Sequence, residues 1–214
     1  GVVIAGGHTV QDKEPKFGLV VLGFVDHGKS LTKAGAKSGD RLFLSKPIGF
    51  GVTTTALKQE KADPADIHLV VEWMKRLNRD ISTIARDMGL RCATDITGFS
   101  LLGHASELAQ ASHVQLRINM KNVPLVEGAL KYARMGTFPG GAADNRMYFG
   151  DIVTFGPSID EPCQMLLFDP QTSGGLLLCV PEDKLSGFIR QAKTLNLPVW
   201  EIGRVEEGSG VIVD

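Results

Sequence analysis

A helical period that is repeatedly interrupted by short apolar runs constrains this chain most. From 64 to 88, Ile67, Val70, Val71, Met74, Leu77, Ile81, Ile84, Ala85 and Met88 recur at steps of three and four. Asp63 stands ready as N-cap, Pro64 fits the first helical position and Gly89 closes the run. That spacing predicts one helix over 64–88 with Met74 and Met88 in the core. Immediately behind it "LRCAT" reads as a strand, and a second helical period over 98–111 turns Leu101, Leu102, Ala105, Leu108 and Ala109 inward.

The rest of the chain continues this mixing. Strands are expected at 41–45, 114–120 and 174–180, and helices at 124–136 and over "PEDKLSGFIRQAKTLN". "FGVTTTALKQEK" is a short helix of weak propensity, since its threonines are β-branched. Apolar runs at 1–7 and 17–28, and again at "VWEIGRV" and "GVIVD", read as hairpin-like strand pairs at the two ends of the chain. Residues 137–165 show little periodicity and read as a long loop. Strands and helices mixed in this way predict an α+β fold in preference to a doubly wound parallel sheet. The pattern loosens over 27–40, where a domain boundary is expected.

Charge and cysteine content narrow the function classes. A formal net charge of -1 argues against a nucleic-acid binder that works by bulk phosphate neutralisation. No run approaches the roughly 20 apolar residues of a membrane span, and no secretory leader is visible, so a cytoplasmic protein is expected. Cys92, Cys163 and Cys179 are far apart and form no C-x-x-C, which suits a reducing compartment and predicts buried, inert thiols. The opening "GVVIAGGHTV" lacks a methionine and begins inside a strand-like run, as in a chain cut from a longer one.

The 25 glycines, well above the usual share of about 7%, gather in short polar loops. Three carry possible chemistry: "GGHTV" (6–10), "TDITGFSLLGH" (94–104) and "DPQTSGGLL" (169–177). None is a P-loop or a dinucleotide fingerprint. Asp95 ends a strand just ahead of a helix start, where the dipole favours its charged form and free N–H groups can face a phosphate. A carboxylate beside a phosphate makes sense when a cation bridges them, and Mg²⁺ takes one or two carboxylates plus phosphate oxygens. The plainer alternative is that Asp95 or Thr97 caps the helix. Likewise "GGHTV" is either a phosphate cradle or a simple turn, and Asp169 and Thr172 either serve a ligand or bond their local backbone. His8 and His104 are more often structural than ligating in such positions.

Taken in order and spacing, "GGHTV", "ATDITGFSLLGH", "FPGGAADNR" and "DPQTSGGLLL" resemble selenophosphate synthetase (selenide, water dikinase), within the aminoimidazole ribonucleotide synthetase-like superfamily. The resemblance runs along the whole chain. It implies an aminoimidazole ribonucleotide synthetase C-terminal-like domain over 36–214. It also implies that 1–35 is the end of an N-terminal ATP-binding domain, carrying its last strands. The implied activity makes selenophosphate, AMP and phosphate from selenide, ATP and water, with Mg²⁺, in a homodimer formed through the N-terminal domain. It assigns Asp95 as a magnesium ligand at the ATP phosphates, and Gly6, Gly7, His8 and Thr9 as contacts to ATP bound by the partner subunit. The family's catalytic Cys or selenocysteine and lysine have no counterpart here, so no catalytic residue is assigned and the isolated chain is expected to be inactive. Ser100 stands where the family has a glycine, a change expected to be tolerated. Two alternatives remain: another ATP-dependent enzyme of the superfamily, such as thiamine-monophosphate kinase or a hydrogenase-maturation protein, and a non-catalytic binding fragment.

Overall fold

A computed structural model describes residues 2–26, 28 and 30–214. The described residues form seventeen short elements, too many for one layer, which sort into a mixed sheet with helices on both faces. The strands are β1 (Arg41–Leu44), β2 (Cys92–Asp95), β3 (Gln115–Ile118), β4 (Val153–Phe155), β5 (Leu176–Val180), β6 (Trp200–Glu206) and β7 (Gly210–Val213). The α-helices are α1 (Phe50–Lys58), α2 (Pro64–Lys75), α3 (Arg79–Asp87), α4 (Ser100–Ser112), α5 (Ala129–Arg134), α6 (Gly140–Phe149), α7 (Glu161–Leu167) and α8 (Glu182–Thr194). Two 3₁₀ turns, Met120–Asn122 and Gly150–Ile152, complete the set.

The sheet order is β2-β5-β1-β6-β3-β7-β4, antiparallel from β2 to β3 and parallel from β3 to β4. Alternation along the strands feeds two cores. Leu42, Leu44, Leu177 and Cys179 face α4, whose Leu101, Leu102 and Leu108 are fully buried. Phe43, Leu178 and Val180 face the other way, onto Ile81, Ile84 and Ala85 of α3 and Phe188 of α8. Each such side chain withdrawn from water contributes about 1.5–3 kcal/mol. A third cluster joins α1, α2 and α5 through Phe50, Val70 and Tyr132.

The α+β expectation holds, and several of its details do not. The single helix over 64–88 is two helices. The chain turns extended at Arg76 (φ -65°, ψ 126°), so that α2 serves the third cluster and α3 the second. Leu77, counted on the apolar face, is 76% exposed at that break. Asp63 does sit at the N-cap position, but its carboxylate pairs with Lys131 instead of capping. The helix expected over 124–136 begins only at Ala129. Ile48 N–H donates to Pro124 O and Val126 N–H to Ile48 O, which holds 124–126 extended.

The long loop over 137–165 contains α6, β4 and α7. The strands expected within 1–7 and 17–28 do not form among the described residues; Gly1 and His27, at their ends, and Lys29, inside the expected boundary, lie outside them. An apolar run makes a strand only where a ladder partner meets it, and Ile4, Val20 and Leu22 remain about as exposed as in an open chain, at 94%, 92% and 89%. At the other end, β6 and β7 are not a hairpin. β3 lies between them, with Gln115 opposite both Glu206 and Gly210. Residues 207–209 span the roughly 10 Å across one intervening strand. Among the described residues, no helix is long and apolar enough to cross a membrane.

Candidate functional site

β2 and β5 run side by side with Asp95 opposite Leu176, so the loops leaving and entering these strands meet at one end of the sheet. Their backbones are joined directly. Ile96 N–H donates to Gly175 O (2.8 Å) and Gln171 N–H to Thr97 O (3.0 Å). A third motif closes the group: Asn145 of α6, buried, donates from Nδ2 to Gly98 O (2.9 Å) and Phe168 O (3.1 Å). "TDITGF", "DPQTSGG" and "FPGGAADNR" thus form one unit, although about seventy residues of chain separate the first from the last in sequence.

The 169–175 loop is held from several sides. Gln171 Oε1 accepts from Gly49 and Phe50 N–H, both at 3.0 Å, at the start of α1. Lys46, buried, donates from Nζ to Ser173 O and Arg76 O, each at 2.7 Å. Burial, with the Arg76 charge nearby, pushes its ammonium below the usual lysine range. Asn78 Nδ2 donates to Gly174 O (2.9 Å). A Cβ on Gly174 would overlap the Ile96 carbonyl oxygen, so glycine is required for the two loops to touch. Asp169 is fully buried. Its Oδ2 accepts from Gln171 Nε2 (3.0 Å), while Oδ1 has no hydrogen-bond partner among the described residues. Burial pushes this carboxyl up to about 7, against the opposing pull of the Val52 amide, Gln171 and the Gly51 amide.

Asp95 stands apart from this network. It is exposed, and its carboxylate makes no hydrogen bond among the described residues. It lines an open pocket of ≈ 350 Å³ with Thr32, Lys33, Ser82 and Thr94. The capping alternative fails: Phe99 occupies the N-cap position of α4 and no side chain caps it. Thr97 instead meets a buried relay. His104 Nε2 lies 3.1 Å from Thr97 Oγ1, and His104 Nδ1 lies 2.9 Å from Glu107 Oε2, which also binds Lys33 Nζ. Burial pushes the Glu107 carboxyl up, but the hydrogen bonds and charges of Lys33 and His104 outweigh it and hold it below the usual range. Both ring nitrogens are thus engaged, one by a carboxylate and one by a hydroxyl. His104 is held between Thr97 and Glu107 inside the fold.

Gly6, Gly7, His8 and Thr9 are exposed and make no hydrogen bond among the described residues, and nothing lies within 4 Å of a Cβ built on either glycine. The structure does not bring them to Asp95. Thr172 is exposed and bonds no local backbone. Sequence reasoning overlooked Lys46, Gln171 and Asn145. Lys46 in "LSKPIG" carries no signal, whereas Gln171 and Asn145 lay inside motifs already singled out. No group of three or more His, Cys, Asp or Glu among the described residues is placed to hold a metal. A lone free carboxylate fits Mg²⁺ only where phosphate oxygens supply other ligands.

The family described as AIR synthase related protein, C-terminal domain, matches residues 37–214. The selenide, water dikinase of Caldanaerobacter subterraneus subsp. tengcongensis is 45% identical over 208 residues, 97% of this chain and 60% of its own length. The chain spans about 60% of the length of the curated relatives it matches. The crystal structure of thiamine-monophosphate kinase from Stenotrophomonas maltophilia K279a superposes with a TM-score of 0.63 at 20% identity, covering 89% of this chain and 54% of that one. AaThiL complexed with AMPPCP and TMP superposes with a TM-score of 0.55 at 25% identity, covering 85% and 50%.

Proposed function

The chain belongs to the AIR synthase related C-terminal domain family, and from that premise we propose that it is the C-terminal part of an ATP-dependent selenide, water dikinase, making selenophosphate, AMP and phosphate. The similarity to enzymes named selenide, water dikinase along nearly the whole chain supports this substrate class over the superfamily alternatives. The observation that carries the site is the Asp95 carboxylate, unpartnered among the described residues and rigidly presented where three loop motifs lock together.

In this reading Asp95 holds Mg²⁺ at the ATP phosphates, and the metal, when bound, offsets phosphate charge. The loops serve as a positioning frame. Gln171 and Asn145 fix the backbone that follows Asp95, at Thr97 and Gly98, and Lys46 fixes the facing 169–175 loop, so that the carboxylate meets the nucleotide without reorganisation. Residues 1–35 belong with the N-terminal ATP-binding domain of a cytoplasmic homodimer, and Gly6, Gly7, His8 and Thr9 reach ATP on the partner subunit. The openness of that segment supports this role.

The test places Asp95→Asn in a protein of the relatives' full length and follows selenide-dependent AMP formation. The substitution removes one charge at nearly constant shape. A fall of at least about 100-fold in kcat/KM, with the melting temperature unchanged, is expected from the loss of a metal contact worth several kcal/mol. Unchanged turnover removes Asp95 from the site. The 214-residue chain alone is expected to form no AMP, and turnover by it contradicts the assignment of catalysis to other residues.

A further inference from the structure

The three cysteines are widely spaced in sequence, yet two of them face each other in the fold. Cys92 of β2 and Cys179 of β5 are direct register partners in an antiparallel ladder. Partners in such a ladder have Cα atoms about 4.5–5.5 Å apart and side chains on the same face. A disulfide accepts Cα separations of about 4.4–6.8 Å. The Cys92 thiol also reaches Lys33 O at 3.6 Å. Both residues are almost fully buried, at 2% and 1% exposure, against the α4 core.

They are nonetheless reachable. Both line a pocket of ≈ 430 Å³, together with Lys37, Asp40, Arg91 and Lys184. Its rim carries Lys37, Arg91 and Lys184 against Asp40 and Asp183. The neighbouring Cys179 thiol holds the Cys92 thiol below the usual range, against burial and the Asp40 charge, and the same pairing raises Cys179, which burial and Asp40 also push up. The pair therefore has an attacking member and a resolving member.

We infer that Cys92 and Cys179 are a modification site, a cross-strand dithiol that a small peroxide oxidises to a disulfide bridging β2 and β5. The Cys92 thiolate attacks one peroxide oxygen, the O–O bond breaks, and the departing hydroxide takes up a proton as water, leaving Cys92 as a sulfenic acid. The Cys179 sulfur then attacks the Cys92 sulfur. The S–S bond forms, the S–O bond breaks, and the oxygen leaves as a second water carrying the Cys179 proton. Two thiols are oxidised by two electrons, and one hydrogen peroxide is reduced to two waters. The bridge ties the strand ending in Asp95 to the strand that issues from the 169–175 loop. Cys163 on α7 stands outside the site; burial and the neighbouring Asp160 push its thiol up to about 11, which leaves it a poor nucleophile.

The test treats the folded chain with a few equivalents of hydrogen peroxide and maps the products by mass spectrometry. The expected product has lost about 2 Da, carries one cross-linked peptide joining 92 to 179, and regains both thiols with dithiothreitol. Cys163→Ser gives the same product, and Cys179→Ser gives none. A bulky maleimide leaves the native pair unlabelled, because access is only through the pocket. A gain of about 16 or 32 Da without a cross-link, unreacted thiols at 92 and 179, or cross-links to Cys163 in equal yield would each overturn the inference. The wild-type and Cys163→Ser maps decide the matter even if Cys179→Ser does not fold.

Discussion

Ser100 shows what a single residue can hide. On the sequence its replacement of a family glycine reads as mild, yet it opens α4 with φ +71° and is fully buried. A non-glycine side chain in that region costs about 1–2 kcal/mol. Part is recovered through the Ser100 hydroxyl, which accepts from Gly103 N–H at 3.3 Å. Glycine would relieve the strain but lose that bond and add unfolded-state entropy worth about 0.5–1 kcal/mol. Ser100→Gly should therefore raise stability by less than about 1 kcal/mol, while Ser100→Ala, which keeps the strain and loses the bond, should lower it by about 1 kcal/mol. Urea melts of the three proteins give the order. Asp169 makes a second residue-scale prediction. Its folded carboxyl keeps a proton up to about pH 7, whereas the ordinary value is 3.8. Between these values the folded state binds more protons, so this group makes stability fall as pH rises, and its contribution is flat above the folded value. Asp169→Asn should abolish that part of the slope. Equal pH dependence of the denaturation midpoint in both proteins between pH 4 and 7 would show that Asp169 is not the titrating group.

At the scale of elements, the misread segments share one cause. Periodicity reports that a face is buried, not against what. The 64–88 run keeps its helical phase through Arg76, but its two halves answer to different cores, so the chain breaks where Lys46 takes the Arg76 carbonyl. α6 escaped notice for the opposite reason. Its buried residues are Ala142, Asn145 and Phe149, one of them polar, and no apolar stripe marks it. Asn145 is inside because it satisfies two carbonyls at once. Asn145→Ala should cost about 1–3 kcal/mol, measured by chemical denaturation, with hydrogen exchange rising first in the 95–99 and 168–171 loops. Gly174→Ala should cost about 1–3 kcal/mol through the forced separation of those loops, and a neutral outcome would mean that they do not touch.

For the whole molecule, the described residues before Leu31 lie outside the three cores, and their apolar side chains are exposed. From Thr32 onward the chain is held: Thr32 bridges to Cys92, and Lys33 pairs with Glu107. A chain beginning at residue 31 should unfold within about 2 °C of the full one and self-associate less, since a large exposed apolar patch is gone. Scanning calorimetry and light scattering check both; a large drop in melting temperature would place 2–30 within the folded unit.

The α+β class, the positions of β1, β2, β3, β5 and α8, and the motifs that converge at the sheet end could all be read from residue order. Periodicity, proline, glycine and capping chemistry act over a few residues, and the spacing of the loops is written along the chain. Strand order, the insertion of β3 between β6 and β7, the frame of Gln171, Asn145 and Lys46 around Asp95, and the meeting of Cys92 with Cys179 could not. Each depends on partners tens of residues away, chosen by which buried faces and unpaired polar groups fit together, and that choice exists only once the chain has packed.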